Sequence, residues 1–115
     1  MSSGLTRYQT NGDLHFITFS CVRHRPILGT PEARDTFLQI LEQSRAKYDF
    51  LVFAYVAMPD HVHLLLSEPK IARLATALQV IKQRFSKTRV EADVWEPRYY
   101  DFNVKHDDKR AEKQQ

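Results

Sequence analysis

The chain has 115 residues, a formal charge of +3, an isoelectric point near 9.1 and one cysteine. That length makes one domain with a modest core, and a lone Cys21 excludes an internal disulfide and a cysteine-rich zinc site. No apolar leader core and no run of eighteen apolar residues occurs, so a cytoplasmic protein that does not enter the membrane is expected, and the mild basicity favours a polyanionic partner.

In chain order, residues 1–12 are predicted as a flexible N-terminus of the single 1–115 domain. Leu14 to Val22 alternates apolar with small or polar residues and reads as a strand, broken by Arg23-His24-Arg25-Pro26. Thr30-Pro31-Glu32 is a helix start, a threonine cap followed by proline at the first helical position. Phe37, Leu38, Leu41 and Tyr48 share one helical face, which predicts a helix from Pro31 to about Tyr48. The near-continuous apolar run Phe50 to Met58 predicts a central strand. Pro59-Asp60 is a tight turn, with Asp60 shaping it, and His61 to Ser67 is the returning strand. Glu68-Pro69-Lys70 ends that hairpin. Ile71, Leu74, Ala75, Leu78, Ile81 and Phe85 then recur at helical spacing, which predicts a second helix to about Arg89. Tyr99 to Val104 is predicted as a fourth strand. Asp107 to Gln115 has the composition of the first turns of a further helix.

The order β-α-β-β-α-β predicts an α+β fold, the ferredoxin-like arrangement with an antiparallel sheet and helices on one face. On the last hairpin strand His61, His63 and Leu65 share one face, and Val62, Leu64 and Leu66 the other. The histidines then lie on the uncovered side.

His61-Val62-His63 carries the strongest chemical signal. Lone strand histidines are commonly satisfied by the backbone, but two on one face at this spacing point to a shared divalent metal. Neutral imidazoles take several divalent metals and softness alone does not choose one; with no thiolate partner, a nucleic-acid enzyme is expected to use Mg2+ or Mn2+ here, to polarise a phosphate. On the second helix Arg73, Thr76, Arg84 and Lys87, with Lys82 and Arg89 nearer the boundary, form either a solvated cationic face or a phosphate-backbone contact, joined by Arg23 and Arg25 after the first strand. In Trp95-Glu96-Pro97-Arg98-Tyr99-Tyr100-Asp101-Phe102 the aromatics either pack or stack on an unpaired base. Tyr99 and Tyr100 fall on opposite faces, so at most one looks toward the histidines. His15, His24 and His106 carry no spacing signal. Cys21 reads as a small core residue.

Together these segments resemble the single-tyrosine transposases with a histidine-hydrophobic-histidine motif, and most closely the REP-associated tyrosine transposases. The resemblance rests on Phe16-Ile17-Thr18-Phe19, on Ala57-Met58-Pro59-Asp60-His61-Val62-His63-Leu64-Leu65-Leu66, on Ile81-Lys82-Gln83-Arg84-Phe85-Ser86 and on Val94-Trp95-Glu96-Pro97-Arg98-Tyr99-Tyr100-Asp101. It implies an enzyme that cuts and rejoins single-stranded DNA beside a hairpin. His61 and His63 match the metal pair for Mg2+ or Mn2+, and Lys82 and Arg84 match DNA contacts. It also implies a tyrosine nucleophile on a later helix, in a pattern like Tyr-x-x-x-Asn-Pro-Val. No tyrosine follows Tyr100 in this sequence, and Tyr99 and Tyr100 match the preceding strand, so no residue matches the nucleophile and Tyr100 is only a substitute candidate. The expectation is therefore a transposase domain with a truncated catalytic helix, active on DNA or reduced to hairpin binding. An uncovered sheet face further predicts a homodimer.

Overall fold

In the computed structural model of this chain, residues 14–104 are described. The expectations for residues 1–12, for His106 and for a helix in 105–115 lie outside them. The elements are β1 (Leu14–Ser20), a short 3-10 turn (Val22–His24), α1 (Pro31–Tyr48), β2 (Val52–Ala57), β3 (His61–Ser67), α2 (Leu74–Ser86) and β4 (Tyr100–Val104). One antiparallel sheet runs in the order β2-β3-β1-β4, so the ferredoxin-like β-α-β-β-α-β order is present.

Local chemistry accounts for the ends of α1. Thr30 is the cap: its hydroxyl oxygen accepts from the Ala33 N–H at 3.1 Å, and Pro31 opens the first turn. Asp49 closes the helix in the left-handed region (φ 59), where short polar side chains are tolerated. α2 is shorter at both ends than the periodicity predicts. Ile71 is exposed before the helix begins, and Lys87 and Arg89 lie beyond its last residue.

Both helices pack on one face of the sheet. There Ile17, Phe19, Val62, Leu64 and Leu66 meet Phe37, Leu41, Leu78, Ile81 and Phe85, all buried. Cys21 joins this core, and its burial pushes the thiol up to about 11. Trp95, linked to β1 by the Cys21–Trp95 bridge, packs at 5.4–6.1 Å from the Phe19, Phe37 and Phe85 rings. Its indole N–H donates to the Lys82 carbonyl at 3.1 Å. The base-stacking alternative for Trp95 is thus displaced by packing, and Tyr99 turns to the same side, against Phe19.

The run Phe50 to Met58 is not a central strand, because β2 lies at the sheet edge. Its apolar character has two other sources. Phe50 precedes the strand and is buried under it. Then the register slips between Val52 and Ala54, which leaves Phe53 as an extra, bulged residue. The bulge reverses the alternation, so that Ala54 pairs with Leu65 and Val56 with His63 on the uncovered face.

Candidate metal centre and nucleic-acid interface

β1 and β3 build the site at the middle of the uncovered face. Pairing Thr18 with His63 and Ser20 with His61 sets two imidazoles beside two small hydroxylated residues. Small neighbours leave the rings half-exposed, with centroids 4.7 Å apart and planes at 83°. Each ring is held through Nδ1. His61 Nδ1 lies 2.8 Å from Asp60 Oδ1, and His63 Nδ1 lies 3.0 Å from Thr18 Oγ1. Neither Nε2 has a hydrogen-bond partner among the described residues, so both remain for a ligand. The Asp60 carboxyl is held below its ordinary range, first by the His61 hydrogen bond and then by the one from His24.

The apolar surroundings are Phe16, Leu65, Ala54 and Val56, which with His63 line a depression of about 360 Å³. Tyr100 stands in the same row: β4 pairs it with Thr18, and β3 pairs Thr18 with His63. It is exposed, as is Tyr55, which also lines the depression from the edge strand. Two strand spacings separate the Tyr100 backbone from that of His63, about 10 Å.

The basic helix does not flank the histidines. Because the apolar stripe of α2 packs on the opposite face, its outward side points away from the imidazoles. Arg73, Arg84 and Lys87 are exposed there, with Arg84 donating to Gln43 of α1 at 2.6 Å. Lys82 and Arg89 fold inward instead. The Lys82 ammonium sits 5.5 Å from the Phe19 ring centroid and 5.7 Å from that of Tyr99, and donates to the Glu96 carbonyl at 3.2 Å. Burial pulls its pKa down. Arg89 covers the Phe85 ring. Arg23 and Arg25 are exposed beyond the end of β1, whose last residue, Ser20, pairs with His61. They lie in the turn that carries His24, whose Nδ1 is 3.2 Å from Asp60 Oδ2.

Sequence reasoning missed two things here. Asp60 serves the histidine beside it as well as the turn, a role signalled by its position next to His61. His15, which has no spacing signal, is buried on the helix side between Glu68 (2.6 Å) and Asp101 (3.0 Å). Burial opposes its charge, but the hydrogen bonds and charges of Asp101 and Glu68 outweigh that and raise its pKa.

A family profile described as "Transposase IS200 like" matches residues 8–113. The chain belongs to the IS200-like transposase family. Solved structures agree on the fold of this transposase chain. A REP-associated tyrosine transposase bound to a REP hairpin is similar with a TM-score of 0.73 at 19% identity, over 90% of this chain and 62% of that one. The transposase chain therefore spans under two thirds of that relative. A protein of Deinococcus radiodurans R1 assigned as a transposase gives a TM-score of 0.68 at 20% identity, over 90% of this chain and 86% of that one. No curated protein sequence matches.

Among the described residues no three histidine, cysteine, aspartate or glutamate side chains converge as a metal cluster. The described residues offer two imidazoles on an open face. That suits an ion which takes its remaining ligands from water and phosphate oxygens. No described helix is long and apolar enough to cross a membrane.

Proposed function

We propose that this transposase domain acts in the cytoplasm on single-stranded DNA beside a hairpin, with His61 and His63 as the two protein ligands of a Mg2+ or Mn2+ ion. The observation that carries this reading is that both Nδ1 atoms are engaged while both Nε2 atoms are free on the same uncovered face. Such an ion, when bound, polarises the scissile phosphate and stabilises charge on its oxygens. The chain's own residues orient that phosphate. The imidazoles fix the metal's place, and Arg23 and Arg25 offer charge on the near side. Arg73, Arg84 and Lys87 offer phosphate contacts on the far side, where a hairpin stem could lie. In the cleavage step a tyrosine oxygen attacks phosphorus and gives up its proton. The P–O3′ bond breaks and the leaving 3′ oxygen takes up a proton from water in exchange for the one the tyrosine releases, so a 5′-phosphotyrosyl link and a free 3′-hydroxyl remain. Tyr100, in the row of Thr18 and His63, is a described candidate. Exposed Phe16, Val56 and Tyr100 also favour a homodimer that covers this face.

A second reading is a hairpin-binding domain that does not cut. The separation of the α2 cations from the histidines favours it, since binding then needs nothing from the metal face. Incubation with hairpin-flanked single-stranded DNA and Mn2+, followed by a denaturing gel, tests both. A covalent adduct lost in His63→Ala supports cleavage, and its loss in Tyr100→Phe assigns the nucleophile. Binding with no adduct supports the second reading. No binding at low salt, where phosphate contacts are strongest, defeats both.

A further inference from the structure

The two histidines are not held alike. A carboxylate only accepts hydrogen bonds, so Asp60 Oδ1 at 2.8 Å requires a proton on His61 Nδ1, which in the neutral ring leaves the lone pair on Nε2. A hydroxyl both donates and accepts, so Thr18 orients the His63 ring without choosing its tautomer. We propose that Asp60, backed by His24, is a positioning residue that keeps His61 in its ligand-ready tautomer before any metal arrives, while His63 selects its tautomer only on binding. The inference rests on the metal reading above.

The frame around Asp60 is built to hold that carboxylate still. Its second oxygen lies 3.2 Å from His24 Nδ1, so both oxygens have a partner and rotation about the side chain breaks one contact. His24 reaches it from a turn in which Arg23 and His24 both adopt positive φ, 52° and 56°, a conformation that non-glycine residues rarely take. The turn is tied to the Pro59–Asp60 hairpin at both ends, by Cys21 N–H to the Asp60 carbonyl (2.8 Å) and Leu28 N–H to the Pro59 carbonyl (2.9 Å). Arg23 N–H donates to Glu96 as well, at 3.0 Å. Strained backbone persists where its surroundings over-determine it. Here those surroundings deliver an imidazole to the outer oxygen of Asp60. Carboxylate–histidine pairs of this kind orient metal ligands and raise their basicity.

Nitrogen-detected NMR of the imidazole rings, in metal-free protein, reads the tautomers directly, and titration with Mn2+ reads affinity. Wild type should show His61 protonated at Nδ1. Asp60→Ala should shift His61 toward the Nε2–H form and weaken Mn2+ binding by about 10-fold or more. Asp60→Asn keeps an oxygen for His61 Nδ1–H and a donor for His24, and should restore the tautomer and most of the affinity. Thr18→Val should alter His63 and spare His61. Should Asp60→Ala fail to fold, His24→Ala at an exposed side chain is read instead, and must also raise the Nε2–H population of His61. An unchanged His61 tautomer in the folded variants overturns the proposal. So does weakened affinity in Asp60→Asn with the tautomer intact, because that pattern marks the charge of Asp60 alone. If wild type holds the tautomer yet binds no Mn2+, the metal reading fails and the positioning role stands.

Discussion

On the helix-covered face of the sheet, Ile17, Phe19, Val62, Leu64 and Leu66 are buried at 0–1% exposure; one residue along the same strands, Phe16 keeps 46% of its surface in solvent. Strand β1 thus supplies the core with one set of side chains and the candidate site with the alternate set. A period of two lets seven residues serve stability and chemistry without either constraining the other. The same division separates the cations. Lys82 and Arg89 belong to packing, Arg73, Arg84 and Lys87 to the outer helix surface, and Arg23 and Arg25 to the histidine side.

The contrast is sharpest in Phe19→Ala and Phe16→Ala, adjacent in kind but on opposite faces. Phe19 touches the Phe37, Trp95 and Tyr99 rings, so its loss should cost about 3–5 kcal/mol in denaturant unfolding. Phe16→Ala should cost under about 1 kcal/mol. Equal losses would mean the open face is covered in solution, and light scattering would then show a dimer. Next comes His15, the buried imidazole of the helix side. Its folded pKa is raised, so its contribution is complete below the ordinary histidine value of about 6.5 and is lost as pH rises through the folded value. Unfolding free energy measured across that window should fall with rising pH, and His15→Gln should remove the slope. A slope that survives would assign it elsewhere. Smaller still are the outer cations. Arg73→Ala or Lys87→Ala should weaken hairpin binding and lower the salt slope by about one unit each. Lys82→Met, which keeps the packing on Phe19 and Tyr99, should leave that slope unchanged.

Periodicity carried most of this architecture in plain sight. Thr30-Pro31 marks a helix start because capping is local, and His61-Val62-His63 marks a shared face because strand geometry is local. What stayed hidden depends on distant partners. The edge position of β2 follows from which strands pair, and its apolar run reads the same at an edge or in the centre. A bulge at Phe53 leaves no trace in composition. The direction of α2 relative to the histidines is set by the packing of its stripe, which no spacing within the helix reveals. Likewise His15 is explained only by Glu68 and Asp101, brought in from β3's end and β4.

Strand β1 is first in the sheet-forming order of the chain yet sits between β3 and β4. Both of its partners are synthesised after it, one beyond α1 and the other beyond α2. Until then its backbone has no ladder, and loop closure over most of the domain must precede the reward of pairing. A nascent chain therefore carries Phe16-Ile17-Thr18-Phe19 without a partner until β3 is complete at Ser67, and one edge of β1 stays open until β4 follows α2, which exposes this stretch to misassembly.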